Sequence, residues 1–264
     1  MAHQYATIKP DSKKDLVMRL KSRAGEKNLE TISSDYMSPT VSDMVAFNDK
    51  NNVSISLSMY HCATQSPMPA NLPNPDPLSL QIGLDRVIHR WQKQTKVQFA
   101  AFAGGYPTSD QALYAASMLN KAAITWNDVK PGPEFKWVSN LEEAAFVLAY
   151  GGDAGSTLAR AFFPNDKDLN VLYVYKKAFE PGNINFMTNI FLHELGHVLG
   201  LRHEFAPEKE GGTVQLGPRN PKSVMSYYFP PEIQMDDKKS TREFYSLTES
   251  HFSGWPIKDW VPNN

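Results

Sequence analysis

His193, Glu194, His197, Gly200 and His203 are the positions that most constrain this chain. They lie in the run His193-Glu194-Leu195-Gly196-His197-Val198-Leu199-Gly200-Leu201-Arg202-His203. Residues four apart on a helix share a face, so His193 and His197 can aim two imidazoles at one metal ion. Met187, Phe191, Leu195 and Val198 make an apolar stripe at helical spacing that would hold that face in place. Asn183 or Asn185 is expected to cap the start of the helix. Gly200 is expected to end it, because glycine tolerates the left-handed backbone of a helix stop. The turn then returns His203 from another direction. Three neutral imidazoles with one position open is the donor set of a catalytic zinc site. Glu194 sits one residue from a ligand, placed beside the metal as a general base.

A second segment, Ser223-Val224-Met225-Ser226-Tyr227, follows. With the first it resembles the metzincin metallopeptidase signature of zinc helix and Met-turn. The resemblance implies an α+β domain with a twisted, mostly parallel sheet, an antiparallel edge strand, an active-site helix and a Met-turn. It implies a zinc endopeptidase in which a Glu194-assisted, zinc-bound water attacks the peptide bond. It implies Met225 as an apolar floor under the imidazoles. In astacin-like and serralysin-like members a tyrosine two residues after that methionine steadies the oxyanion, a role that falls to Tyr227. Two other readings of the same site stand beside this one. One is a zinc hydrolase of a small amide or ester in a biosynthetic pathway. The other is a relative that binds peptides without cutting them.

The features are divided between families of the clan. Glu204 directly follows the third histidine, as in astacins, but Phe205 to Glu210 does not continue that pattern. Leu158 to Phe163 resembles the edge strand on which matrixins lay an extended peptide, so that strand is the expected partner surface. Matrixins also silence the metal with an upstream cysteine. Cys62 lies upstream here, although His61-Cys62-Ala63-Thr64 departs from the matrixin sequence; the alternative for Cys62 is a small buried apolar side chain. Calcium is a common accessory ion in relatives, and Asp166 with Asp168, or Asp236 with Asp237, are the acidic pairs that could bind it, with solvated turns as the favoured alternative.

The remaining expectations concern organisation. The 264 residues are 41% hydrophobic, enough for a substantial core. The net charge of −1 gives no basis for binding nucleic acid or an anionic membrane surface. No apolar run is long enough to cross a bilayer. Cys62 is the single cysteine, and the first ten residues have no apolar leader. Both point to a cytoplasmic setting, with a missing leader or unconventional export as the alternative. Residues 1–80 read as an N-terminal extension, a pro-segment or support, ending in a Pro-rich connector from Pro67 to Pro77. Residues 84–264 read as the catalytic domain with a C-terminal tail. The expected elements are a helix over 11–24, a strand over 53–59, a strand over 96–102 and a helix from Thr108 or Ser109. Strands over 135–138, 145–150, 158–163 and 171–175 follow, then the zinc helix and a helix over 240–247.

Overall fold

The computed structural model describes residues 12–36, 62, 79–204 and 213–264. The strand expected over 53–59 and the Pro-rich connector lie outside them. Four α-helices and eleven strands are described: α1 (Lys13–Ala24), β1 (Ser79–Ile82), β2 (Ile88–Trp91), β3 (Lys96–Ala101), α2 (Ser109–Val129), β4 (Glu134–Trp137), β5 (Phe146–Tyr150), β6 (Ala159–Arg160), β7 (Asn170–Val174), α3 (Met187–Val198), β8 (Leu201–Arg202), β9 (Val214–Arg219), α4 (Met235–Ser246), β10 (His251–Phe252) and β11 (Trp255–Trp260). This is a mixed α+β chain with mixed sheets. No described helix is long and apolar enough to cross a membrane.

The main sheet has the order β4-β3-β5-β7-β6. Its first four strands run parallel, and β6 pairs antiparallel on the edge. Central parallel strands are covered on both faces and read as apolar runs. Phe146, Val147 and Leu148 of β5 are accordingly buried. Helix α2 starts at Thr108, whose hydroxyl accepts from Gln111 N, the expected cap. Its Ala112, Ala116, Leu119, Ala123 and Trp126 are all buried, as their spacing implied. On a second apolar cluster, Val17 of α1 packs with Ala100, Val138, Leu141, Ala144 and Val147. Residues 30–32 continue this attachment, with Ile32 N donating to Ala101 O and Ala103 N to Glu30 O.

Two smaller sheets flank this body. One has the order β8-β1-β9 and is antiparallel throughout. Strand β1 thus straddles the boundary expected near residues 80–84. The other joins β10, β11 and β2, with β11 parallel to β2. The C-terminal tail is therefore a paired strand. The Arg90 guanidinium fixes it, through Asp259 at 2.6 Å and the carbonyls of Phe244 and Leu247.

Two expected boundaries shift. The strand over 158–163 keeps its ladder for β6 alone, and the chain leaves β7 before Pro164, which has no N–H to donate. The last helix begins at Met235, well before residue 240. Its first turn is polar and Met235 is 74% exposed, so no apolar period marks it.

Candidate metal centre

Helix α3 carries the first two histidines. Its Met187, Phe191, Leu195 and Val198 are fully buried, as the stripe required. Neither asparagine caps it. A 3-10 turn over Ile184–Phe186 intervenes, and Phe186 takes the cap position. Asn183 lies one turn too early, and its amide donates to Lys177 O instead. The helix is held from outside. Trp126 Nε1 donates to Leu192 O at 2.9 Å, and Trp91 Nε1 to Val198 O at 2.7 Å. The Tyr245 hydroxyl donates to Leu199 O at 2.9 Å. The last two bonds satisfy carbonyls that a helix end leaves unpaired. Gly200 then turns the chain at φ +90. A side chain there would also overlap the carbonyl of His89 on β2, so the position needs glycine twice over.

Every histidine the sequence singled out arrives at one point. His197 Nε2 lies 3.2 Å from His193 Nε2 and 3.1 Å from His203 Nε2. All three rings are buried. The other ring nitrogens are tied back: His193 Nδ1 bonds the carbonyl of Val224 and His197 Nδ1 that of Leu201, both at 2.8 Å. Each bond makes Nδ1 the protonated nitrogen and leaves Nε2 unprotonated, with its lone pair able to bind a metal. Burial, then the neighbouring imidazoles, holds His193 and His197 well below the usual histidine range. They are therefore neutral, as ligands must be.

A fourth group joins them. The buried Cys62 sulfur lies 3.5 Å from His197 Nε2, and the four ligand atoms fall within 4.8 Å of one another. The donor set fits zinc. Zn–N bonds of about 2.05 Å in a tetrahedron put two nitrogens about 3.3 Å apart, and a Zn–S bond of about 2.3 Å puts sulfur about 3.5 Å from nitrogen. Cys62 also forms an isolated parallel bridge with Ala159 of β6, so the residue reaches the site along the sheet edge.

Glu194 is fully buried on α3, next to the ligands in sequence. Met225 is fully buried, with its sulfur against Gly196 where any Cβ would collide. Tyr227 lays its ring edge-on to His203, with centroids 5.1 Å apart. Glu204 is buried and its N–H donates to Met225 O at 3.2 Å, linking the third ligand's segment to the turn.

Three contributors escaped the sequence reading. Asp237 accepts from Ser223 Oγ at 2.6 Å, Val224 N at 2.9 Å and Gln234 N at 2.8 Å. Phe163 meets the His197 imidazole edge-on with ring centroids 5.4 Å apart, and the Arg202 guanidinium lies 5.8 Å from the Phe163 ring. In the sequence Phe163 drew notice only as the end of the edge strand and Asp237 only with Asp236 as a calcium candidate; Asp237 accepts from the protein's own donors. Asp236 receives Asn220 Nδ2 at 3.5 Å, and Asn263 Nδ2 donates to Asp168 and to the carbonyl of Asp166.

Residues 168–230 match the family model of the Metallo-peptidase family M12B Reprolysin-like domain. The chain is also 31% identical over 164 residues to the macrophage metalloelastase of Rattus norvegicus, a matrixin. That match covers 54% of this chain and 29% of the relative, so less than a third of that protein's length is represented. The two matches point to different families of one clan, and together they support a metzincin-clan metallopeptidase without singling out a family within it.

Proposed function

We propose that the chain is a zinc endopeptidase whose cleft is occupied by its own Cys62. The convergence of Cys62, His193, His197 and His203 on one buried point carries this reading. Zinc held there supplies a Lewis acid that polarises a scissile carbonyl and makes water acidic near neutral pH. Glu194 takes the proton from the attacking water and delivers it to the leaving amine. The Tyr227 hydroxyl donates to the oxyanion as charge builds on it. Met225 and the Gly196 notch keep the floor of the site rigid, and the Val224 and Leu201 carbonyls keep two imidazoles aimed.

The substrate in this reading is an extended peptide added antiparallel to the edge formed by 158–163. Residue 62 takes that edge in the parallel sense. A chain lying that way presents its amides and carbonyls in reverse order, so it blocks the cleft without offering a bond for hydrolysis. Four protein ligands make a closed zinc site, and three make an open one. Withdrawal of Cys62 is therefore the activating step.

The test is zinc content together with digestion of a diverse peptide library, read by mass spectrometry, for Cys62→Ala and for the double variant Cys62→Ala, Glu194→Ala. Both proteins should hold zinc, and only the first should cut. Equal cleavage by the two, or a purified chain that takes up no zinc, ends this reading.

A further inference from the structure

His203 does not sit on the helix that carries the other two histidines. It follows β8 directly, and β8 serves two ligands at once. The Leu201 carbonyl orients His197 at 2.8 Å, and the next residues deliver His203. Within its sheet β8 is an edge, so β1 is its ladder neighbour, with Gln81 opposite Arg202 and Ile82 opposite Leu201. Gln81, Ile82 and Leu201 are fully buried. Arg202 fastens the pair: its Nη1 donates to Gly83 O at 2.6 Å, just past the end of β1. The same guanidinium, 3% exposed, lies over the Phe163 ring that abuts His197.

The bond to Gly83 and the contact with Phe163 together clamp β8, and the His203 segment that follows it, onto β1. We propose that Arg202 is a positioning residue for the metal centre and that β1 belongs to the catalytic unit. This rests on the zinc reading above.

Charge and positioning predict opposite signs. Removing a nearby cation alone tightens zinc binding; removing a clamp loosens it. The experiment measures zinc affinity of the full chain by chelator competition, and the visible spectrum of its Co²⁺ form, for wild type, Arg202→Met and Arg202→Lys. Arg202→Met should lose about 10–100-fold in affinity, the usual effect of a residue supporting a ligand, and shift the Co²⁺ bands. Arg202→Lys, which keeps the charge without the fixed fork, should fall between. Folded Arg202→Met with unchanged or tighter zinc binding and a wild-type Co²⁺ spectrum overturns the proposal. If circular dichroism shows that variant unfolded, Arg202→Lys decides, and wild-type affinity there overturns it. Wild type that takes up no zinc removes the underlying reading as well, whereas zinc-binding wild type with indifferent variants removes this inference alone.

Discussion

The Cys62 sulfur stands 3.5 Å from Nε2 of His197, a residue 135 positions later in the chain. An intramolecular ligand of this kind competes with substrate at an effective concentration in the millimolar range. Cys62→Ala should therefore raise peptide hydrolysis by the full chain by about tenfold or more, since a tethered competitor at that concentration exceeds ordinary substrate levels. Initial rates on a cleavable peptide are the check. Equal rates for the two proteins would remove Cys62 as an inhibitor.

Gly196 and Met225 meet where no side chain fits. A methyl at 196 would overlap the Met225 sulfur, while meeting Trp126 at an ordinary contact distance. Gly196→Ala should cost about 1–3 kcal/mol, the usual effect of overpacking a dense core. Because Met225 lies in the turn whose Val224 carbonyl orients His193, zinc uptake should weaken with stability. Denaturant melts and chelator competition on the same sample measure both.

Asp237 shows how the C-terminal helix reaches the candidate metal site. Burial pushes its carboxyl up, while the donors from Ser223, Val224 and Gln234 pull it back toward the carboxylate. Val224 uses its N–H on Asp237 and its carbonyl on His193. Asp237→Asn keeps the size but aims an amide N–H₂ at groups that are themselves donors. An unmet buried donor costs about 1–3 kcal/mol, and slack in the turn should lower zinc affinity beyond what stability alone explains. Full zinc affinity in a destabilised variant would confine Asp237 to holding α4.

The three-histidine cluster was legible because it depends on short spacings. His193 and His197 follow from helical geometry, and Gly200 follows from the need to end that helix. The apolar stripe from Met187 to Val198 and the Thr108 cap rest on the same local rules. Other features depend on pairing between distant residues. Strand β1 has four residues, and its role comes from β8 and β9, more than a hundred positions away. Arg202 reads as an ordinary charge between Leu201 and His203 until Gly83 is brought to it. Asn183 reads as a helix cap, yet a 3-10 turn displaces the helix start beyond its reach. The first turn of α4 is solvent-facing, so hydrophobic period says nothing there.

Tyr245 and Leu199 offer a test of the helix support. The buried hydroxyl donates to Leu199 O at 2.9 Å and lies 3.4 Å from Trp91 N. Tyr245→Phe keeps the ring and leaves a helix-end carbonyl unpaired. The loss should be about 1–3 kcal/mol, the range for orphaning a buried polar group. Because this carbonyl precedes the Gly200 turn, the Co²⁺ spectrum should shift slightly too. A variant as stable as wild type would mean that water takes over the bond.

Lys13 supplies a pH dependence remote from the metal. Its ammonium donates to Asn263 O at 2.6 Å, joining α1 to the C-terminal residues. Partial burial outweighs the attraction of Asp168 and Glu143 and lowers its pKa to about 8. An unfolded chain keeps that proton up to about 10.4. Between these values the unfolded state binds more protons, so stability from this group rises with pH. Its contribution is complete above the unfolded value and is lost as pH falls through about 8. Lys13→Met lacks this titration. The melting temperature of wild type minus that of Lys13→Met should therefore increase from pH 7.5 to pH 10, measured at constant ionic strength. A difference that stays flat across that interval would show the lysine as solvated as in the open chain, and its tie to Asn263 as incidental.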